Sequence, residues 1–126
     1  MFCAGADLKE RKSMQESEVK DFLKELRACF KHLEDLLCPT ISVIDGAALG
    51  GGCELALCTD LRIATNDSIF ALPETGLAII PGAGGTQRLT RLIGESRAKE
   101  LIFTGDRLTG PEAYRVGLVN HVLPDY

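Results

Sequence analysis

No stretch of this sequence is apolar for long enough to span a bilayer, and none of its five cysteines sits in a Cys-x-x-Cys pair. The first absence excludes a membrane-spanning helix. The second, with only two histidines present, argues against a zinc site and predicts free, mostly buried thiols in a reducing compartment. Cations are outnumbered, 14 Lys and Arg against 18 Asp and Glu, for a net charge of −4. No basic run is interleaved with aromatics, so a nucleic-acid surface is not expected. Gly82-x-Gly84 is followed by Gln87 where a dinucleotide fingerprint needs a third glycine, and there is no Walker lysine. No internal repeat, low-complexity tract, signal or transit segment is recognisable; Met1 leads straight into Phe-Cys-Ala-Gly-Ala-Asp. What remains, 45% hydrophobic and 25% charged residues over 126 positions, fits one small globular domain.

The stretch around which the chain is organised is Asp45-Gly-Ala-Ala-Leu-Gly-Gly-Gly-Cys-Glu-Leu-Ala-Leu-Cys-Thr-Asp60. Three consecutive glycines, Gly50 to Gly52, let the backbone take unusual dihedrals and approach a ligand closely. Gly51 to Cys58 reads as a short helix with Leu55 to Cys58 inside, whose first N–H groups lack intrahelical partners and favour an oxyanion. Glu54 lies about one turn in. Taken alone it reads as a helix-start residue stabilised by the dipole; beside three glycines it reads as part of a site.

The remaining pattern is α/β. Residues 13–37 carry a helical apolar stripe including Val19, Phe22, Leu23, Leu26, Phe30 and Leu33, with a capping box at Ser13 and Glu16, or a start at Ser17, and an end at Leu37 before Pro39. The charged side of that helix reads as a solvated face. Phe2 to Ala6 reads as the end of a buried strand turning at Gly5, and Asp7 to Lys12 as a charged loop or first helical turn. Residues 40–45, 61–65, 69–72 and 118–123 read as strands. Helices are expected over 85–93, from a cap at Ser96 to Gly105, and from a capping box at Thr109 and Glu112 to Gly117. Glu74 follows a strand and precedes an apolar, glycine-bearing loop, where burial would raise its pKa toward the range useful for acid–base work. A surface loop glutamate is the alternative. His32 and His121 read as structural or exposed.

Three of these segments together, Phe2 to Glu10, Ala48 to Ala56 and Leu72 to Leu89, resemble the enoyl-CoA hydratase/isomerase (crotonase) family, with Thr104 to Leu108 and Gly117 to Val119 fitting the same pattern. The wording at Ala4 to Arg11 and Ala98 to Phe103 is similar to the methylglutaconyl-CoA hydratase branch. The resemblance implies an α/β crotonase-like spiral of ββα units. It also implies a site for a CoA thioester, with no separate cofactor and no metal because CoA is part of the substrate. Its oxyanion hole would be the N–H groups of Ala6 and Gly51, and its catalytic carboxylates Glu54 and Glu74. Ala4, Ala6, Asp7, Leu8 and Lys9 would lie along the CoA together with Gly51, and Gly82 would help place a water.

The implied activity is hydration of a 2-enoyl-CoA, in fatty-acid or branched-chain amino-acid catabolism. Members that only shift a double bond generally lack the glutamate at position 54. That isomerase activity, an RNA-binding relative and an inactive fragment are the alternatives. The resemblance further implies a homotrimer or a dimer of trimers, no membrane partner, and a mitochondrial matrix location in a eukaryote or a cytoplasmic one in a bacterium. Relative to the family pattern, residues 1–126 are expected to be a partial domain, without N-terminal strands and C-terminal trimerisation helices, and poorly stable alone.

Overall fold

The computed structural model describes residues 1–124. Its first four strands are dealt alternately to two sheets. β1 (Ile41–Ile44) enters one sheet, the chain turns at Gly46, and β2 (Ala47–Leu49) enters the other before α3 (Gly51–Ala56). The pattern repeats with β3 (Leu61–Thr65) and β4 (Ile69–Ala71). One sheet has the order β1-β3-β6, where β6 is His121–Leu123, and is parallel throughout. The other has the order β2-β4-β5, with β2 and β4 parallel and β5 (Leu108–Thr109) antiparallel to β4. Parallel neighbours cannot be joined by a tight turn. The helices α3, α4 (Gly85–Ile93), α5 (Glu95–Thr104) and α6 (Gly110–Arg115) occupy the crossovers, and β6 (His121–Leu123) closes the first sheet. This is the ββα spiral that the family resemblance implied.

The core lies between these layers. Ile44, Ala48, Phe70, Leu89 and Ala98 are each exposed by no more than 1% and belong to one apolar cluster. β1 alternates exposed and buried residues, so Ser42 and Ile44 point inward. The 66–68 turn is fastened from within: Ser68 is fully buried, and its hydroxyl donates to Ile44 O at 2.8 Å and accepts from Thr65 N at 3.1 Å. Arg62 is also buried. Its guanidinium is satisfied by the carbonyls of Leu118 and Thr59 at 2.7 and 2.6 Å, which ties β3 to the loop before β6.

Several expected boundaries move. The charged segment after Gly5 is a helix, α1 (Leu8–Ser13), capped by the Asp7 carboxylate, which accepts from Lys9 N at 2.8 Å. Ser13 therefore ends α1 and does not open the long helix. α2 runs Glu16–Glu34, with Glu18 reaching back to Gln15 N at 2.6 Å. It stops short of Leu37, which is fully exposed. Gly94, not Ser96, precedes the first residue of α5. The buried strand expected at Phe2 to Ala6 reduces to one bridge between Cys3 and Ala48. β2 and β5 are strands that the side-chain pattern did not announce, since two or three residues are too few to show alternation.

The thiols are free but not mostly buried: Cys53 and Cys58 are buried, Cys3 is intermediate, and Cys29 and Cys38 are exposed. Burial pushes the Cys53 thiol up to about 12, with the charges of Glu54 and Glu74 adding to the effect, so it stays protonated at neutral pH.

Candidate active site

The site forms where the N-terminal segment meets the start of α3. Leu49 N donates to Cys3 O at 2.9 Å, and Gly50 N donates to Ala71 O at 2.9 Å, so the end of β2 is held from both sides. Gly52 makes the close approach possible: a Cβ there would lie 2.1 Å from Cys3 O. Gly5, at φ +87°, then turns the chain back over α3. A Cβ on Gly51 would lie 3.8 Å from Ala6 N, and one on Gly5 would lie 3.0 Å from Gly51 N. The Ala6 and Gly51 amides are thus neighbours on one wall. Neither N–H donates to an acceptor among the described residues.

Glu54 is the fourth residue of α3 and only 2% exposed. Its Oε1 accepts two backbone hydrogen bonds, from Ala83 N at 2.9 Å and Gly85 N at 2.8 Å. Gly85 has to be small for this, since a Cβ would meet Glu54 Cγ at 2.9 Å and Oε1 at 3.0 Å.

Glu74 comes from the 3-10 turn Pro73–Leu77 that follows β4. It is 8% exposed, and its Oε2 is buried with no hydrogen-bond partner among the described residues. Burial raises its pKa above the ordinary carboxyl value, and the nearby Glu54 carboxylate adds to the rise.

Both glutamates line one cavity of about 710 Å³. Ala4, Ala6, Leu8, Gly51 and Gly82 share its wall; Asp7 and Lys9, also expected along the ligand, do not. The Asp7 carboxylate is turned to its own helix, where it caps α1. The sequence reading missed the opposite wall, formed by Phe22, Leu23, Leu26 and Phe30 of α2 with Arg11 and Arg27. An apolar stripe facing a cavity has the same 3.6-residue spacing as one facing a core, so the period carried no signal of it. Arg11 stands 5.7 Å from the centre of the Phe22 ring, a cation–π distance. Among the described residues no cluster of His, Cys, Asp or Glu could hold a metal ion, and no helix is long and apolar enough to cross a membrane.

The elevated Glu74 pKa has a consequence for stability. In the pH window between the unfolded and folded pKa values the folded state binds more protons, so stability falls as pH rises through it. Glu74→Gln is therefore expected to melt a few degrees higher than wild type at neutral pH, with the difference vanishing at acid pH where both forms are uncharged. Thermal melts across that range test it; a constant difference at every pH would refute the assignment of a burial-raised carboxyl.

Two sheets fed by ββα turns, with an open cavity at the glycine-rich start of α3, define a crotonase-type protein. Solved structures share the architecture. An enoyl-CoA hydratase from Bacillus anthracis, 55% identical, superposes with a TM-score of 0.94, covering 98% of this chain and 48% of that one. Pseudomonas aeruginosa DspI, 38% identical, gives 0.95 over 98% of this chain and 51% of its own.

The chain belongs to the enoyl-CoA hydratase/isomerase family, whose model matches residues 1–126. Among curated relatives, the probable enoyl-CoA hydratase 2, mitochondrial, of Arabidopsis thaliana is 61% identical over 95% of this chain and 40% of its own length. The human methylglutaconyl-CoA hydratase, mitochondrial, is 58% identical over 98% of this chain and 36% of its own. The chain thus spans less than half the length of these curated relatives.

Proposed function

We propose that this chain supplies the catalytic centre of an enoyl-CoA hydratase, adding water across the double bond of a 2-enoyl-CoA thioester. The observation that carries the reading is the pair of buried carboxylates, Glu54 and Glu74, lining the cavity whose wall also holds the adjacent Ala6 and Gly51 amides. Attack of water at the β-carbon pushes electrons through the conjugated system onto the thioester oxygen. Two fixed N–H dipoles, from Ala6 and Gly51, stabilise that charge without having to reorganise.

Glu54 takes a proton from the attacking water as its oxygen bonds to the β-carbon. Glu74 delivers a proton to the α-carbon as the enolate collapses, so one H and one OH are added in all. The raised pKa of Glu74 favours a protonated, donating form. Gly82, Ala4, Ala6 and Leu8 serve as binding surface for the thioester.

The relatives named enoyl-CoA hydratase and methylglutaconyl-CoA hydratase support a 2-enoyl-CoA substrate, and the fatty-acid or branched-chain amino-acid catabolic setting belongs to the reading by family resemblance. A mitochondrial setting in a eukaryote, a trimeric assembly and a larger domain around residues 1–126 belong to the same reading by family resemblance. The test is to supply the intact protein with a 2-enoyl-CoA in ¹⁸O-water. A 3-hydroxyacyl-CoA labelled at its hydroxyl is expected. A shifted double bond without label would replace this reading by the isomerase, and no turnover of any enoyl-CoA would remove it.

A further inference from the structure

Two arginines stand behind the loop that faces Glu54. Arg27 of α2 donates from Nε to Gly82 O at 2.6 Å. The N–H of that same peptide group belongs to Ala83, and it donates to Glu54 Oε1 at 2.9 Å. One peptide unit therefore joins a guanidinium to the carboxylate. The next carbonyl, Ala83 O, accepts from Arg88 Nη1 at 2.9 Å. Arg88 is in turn held by Glu34 of α2, through Nε at 3.3 Å and Nη2 at 3.2 Å, and its side chain is only 13% exposed. The turn at Gly84, φ +106°, leaves no room for a side chain: a Cβ would lie 2.2 Å from Arg88 Nη1. Gly85 N, the second donor to Glu54, follows directly.

We propose that Arg27 and Arg88 are positioning residues for Glu54, gripping two consecutive carbonyls so that the Ala83 and Gly85 N–H groups converge on one carboxylate oxygen. The proposal rests on the reading of Glu54 as the base toward water. The physical reason is serial polarisation. A cation on a peptide oxygen draws electron density from its N–H and makes that N–H a stronger donor, and hydrogen bonds in series reinforce one another. With Oε1 occupied in this way, Oε2, which has no hydrogen bond among the described residues, is the oxygen free to meet water. Arg27 acts through a single peptide. Arg88 acts through the turn and also ties α2 to α4.

Because Arg88→Met could loosen the fold, Arg27, on an exposed position, carries the test. In the intact protein, Arg27→Met is expected to lower kcat about threefold to tenfold with KM within about twofold, a loss matching one weakened charge-assisted hydrogen bond. In a Glu54→Gln background the same change should have little further effect, because no charge remains for the peptide to hold. Independently of turnover, the Ala83 amide proton should move upfield in Arg27→Met while that of Gly85 moves less. A KM rise with kcat unchanged would put Arg27 on the substrate and overturn the proposal. So would an equal loss of kcat in the Glu54→Gln background, or an unmoved Ala83 resonance. Absence of hydration by the wild type would sink the hydratase reading alone, since the amide resonance reports the positioning without it.

Discussion

Replacing Glu54 by glutamine is expected to lower hydration by about 10²–10⁴-fold, the range for losing a positioned acid–base group, while the fold stays intact. The choice of glutamine matters. Glu54 Oε1 is the acceptor for two buried N–H groups, at 2.9 and 2.8 Å. Alanine would leave both unpaired, at about 1–3 kcal/mol each, and would mix a stability effect with the chemical one. Glutamine keeps one carbonyl oxygen for the two donors and removes only the charge and the ability to take a proton from water. The Gln variant should thus melt close to wild type and the Ala variant several degrees lower, with both nearly inactive as hydratases. Decay of the conjugated thioester absorbance gives the rate, and circular dichroism gives the melt. An enzyme that merely relocated a double bond using Glu74 would be nearly indifferent to either change. Wild-type hydration by the Gln variant would end the assignment of Glu54 as base.

A single methyl group placed at Gly52 is expected to cost both stability and catalysis. The new Cβ would lie 2.1 Å from Cys3 O, 2.7 Å from Cys3 C and 2.8 Å from Cys3 Cβ. Two of those atoms are backbone, so no rotamer change relieves the clash, and the N-terminal segment must separate from α3. The Leu49 N to Cys3 O bond and the Cys3–Ala48 bridge go with it. Overpacking of this kind costs about 1–3 kcal/mol. The Ala6 amide would then move away from that of Gly51, and losing one oxyanion donor typically costs about 10²–10³ in rate.

The neighbouring glycine is the control. A Cβ at Gly51 meets only Gly5 Cα at 3.5 Å and Ala6 N at 3.8 Å, which are ordinary contacts. Gly51→Ala should therefore fold and turn over far better than Gly52→Ala, although the sequence presents the two positions as equivalent. Equal activities for the two variants would show that the approach of Cys3 to α3 is not what sets the amide pair.

The contrast between Gly51 and Gly52 shows where sequence reading stops. A run of glycines announces that backbone comes close to something, but not to what. Strands β1 and β3 and the helices α4 and α6 were legible because their signals are local: β-rich runs, a glycine stop after Ile93, and a capping box at Thr109 and Glu112. The cap of α2 was misread because Ser13 and Glu16 have the right spacing, while Gln15 and Glu18 three residues apart do the work. α2 itself was legible as an amphipathic helix, yet its role as a cavity wall was not, and its Arg27 passed as one more charge on a solvated face.

By itself the amino-acid order determined the α/β rhythm, the absence of long apolar runs, and the two acidic residues and glycine clusters from which a site could be built. These follow from side-chain chemistry and from periodicities that act over a few residues. Only the tertiary structure decided the directions in which those groups point. Glu54 is gripped by amides 29 and 31 positions further along the chain, and Gly82 O by an arginine 55 positions earlier. Such contacts come from the layering of α2, α3 and the 82–85 loop. No local preference encodes them, because a hydrogen bond between distant segments is set by how whole elements pack.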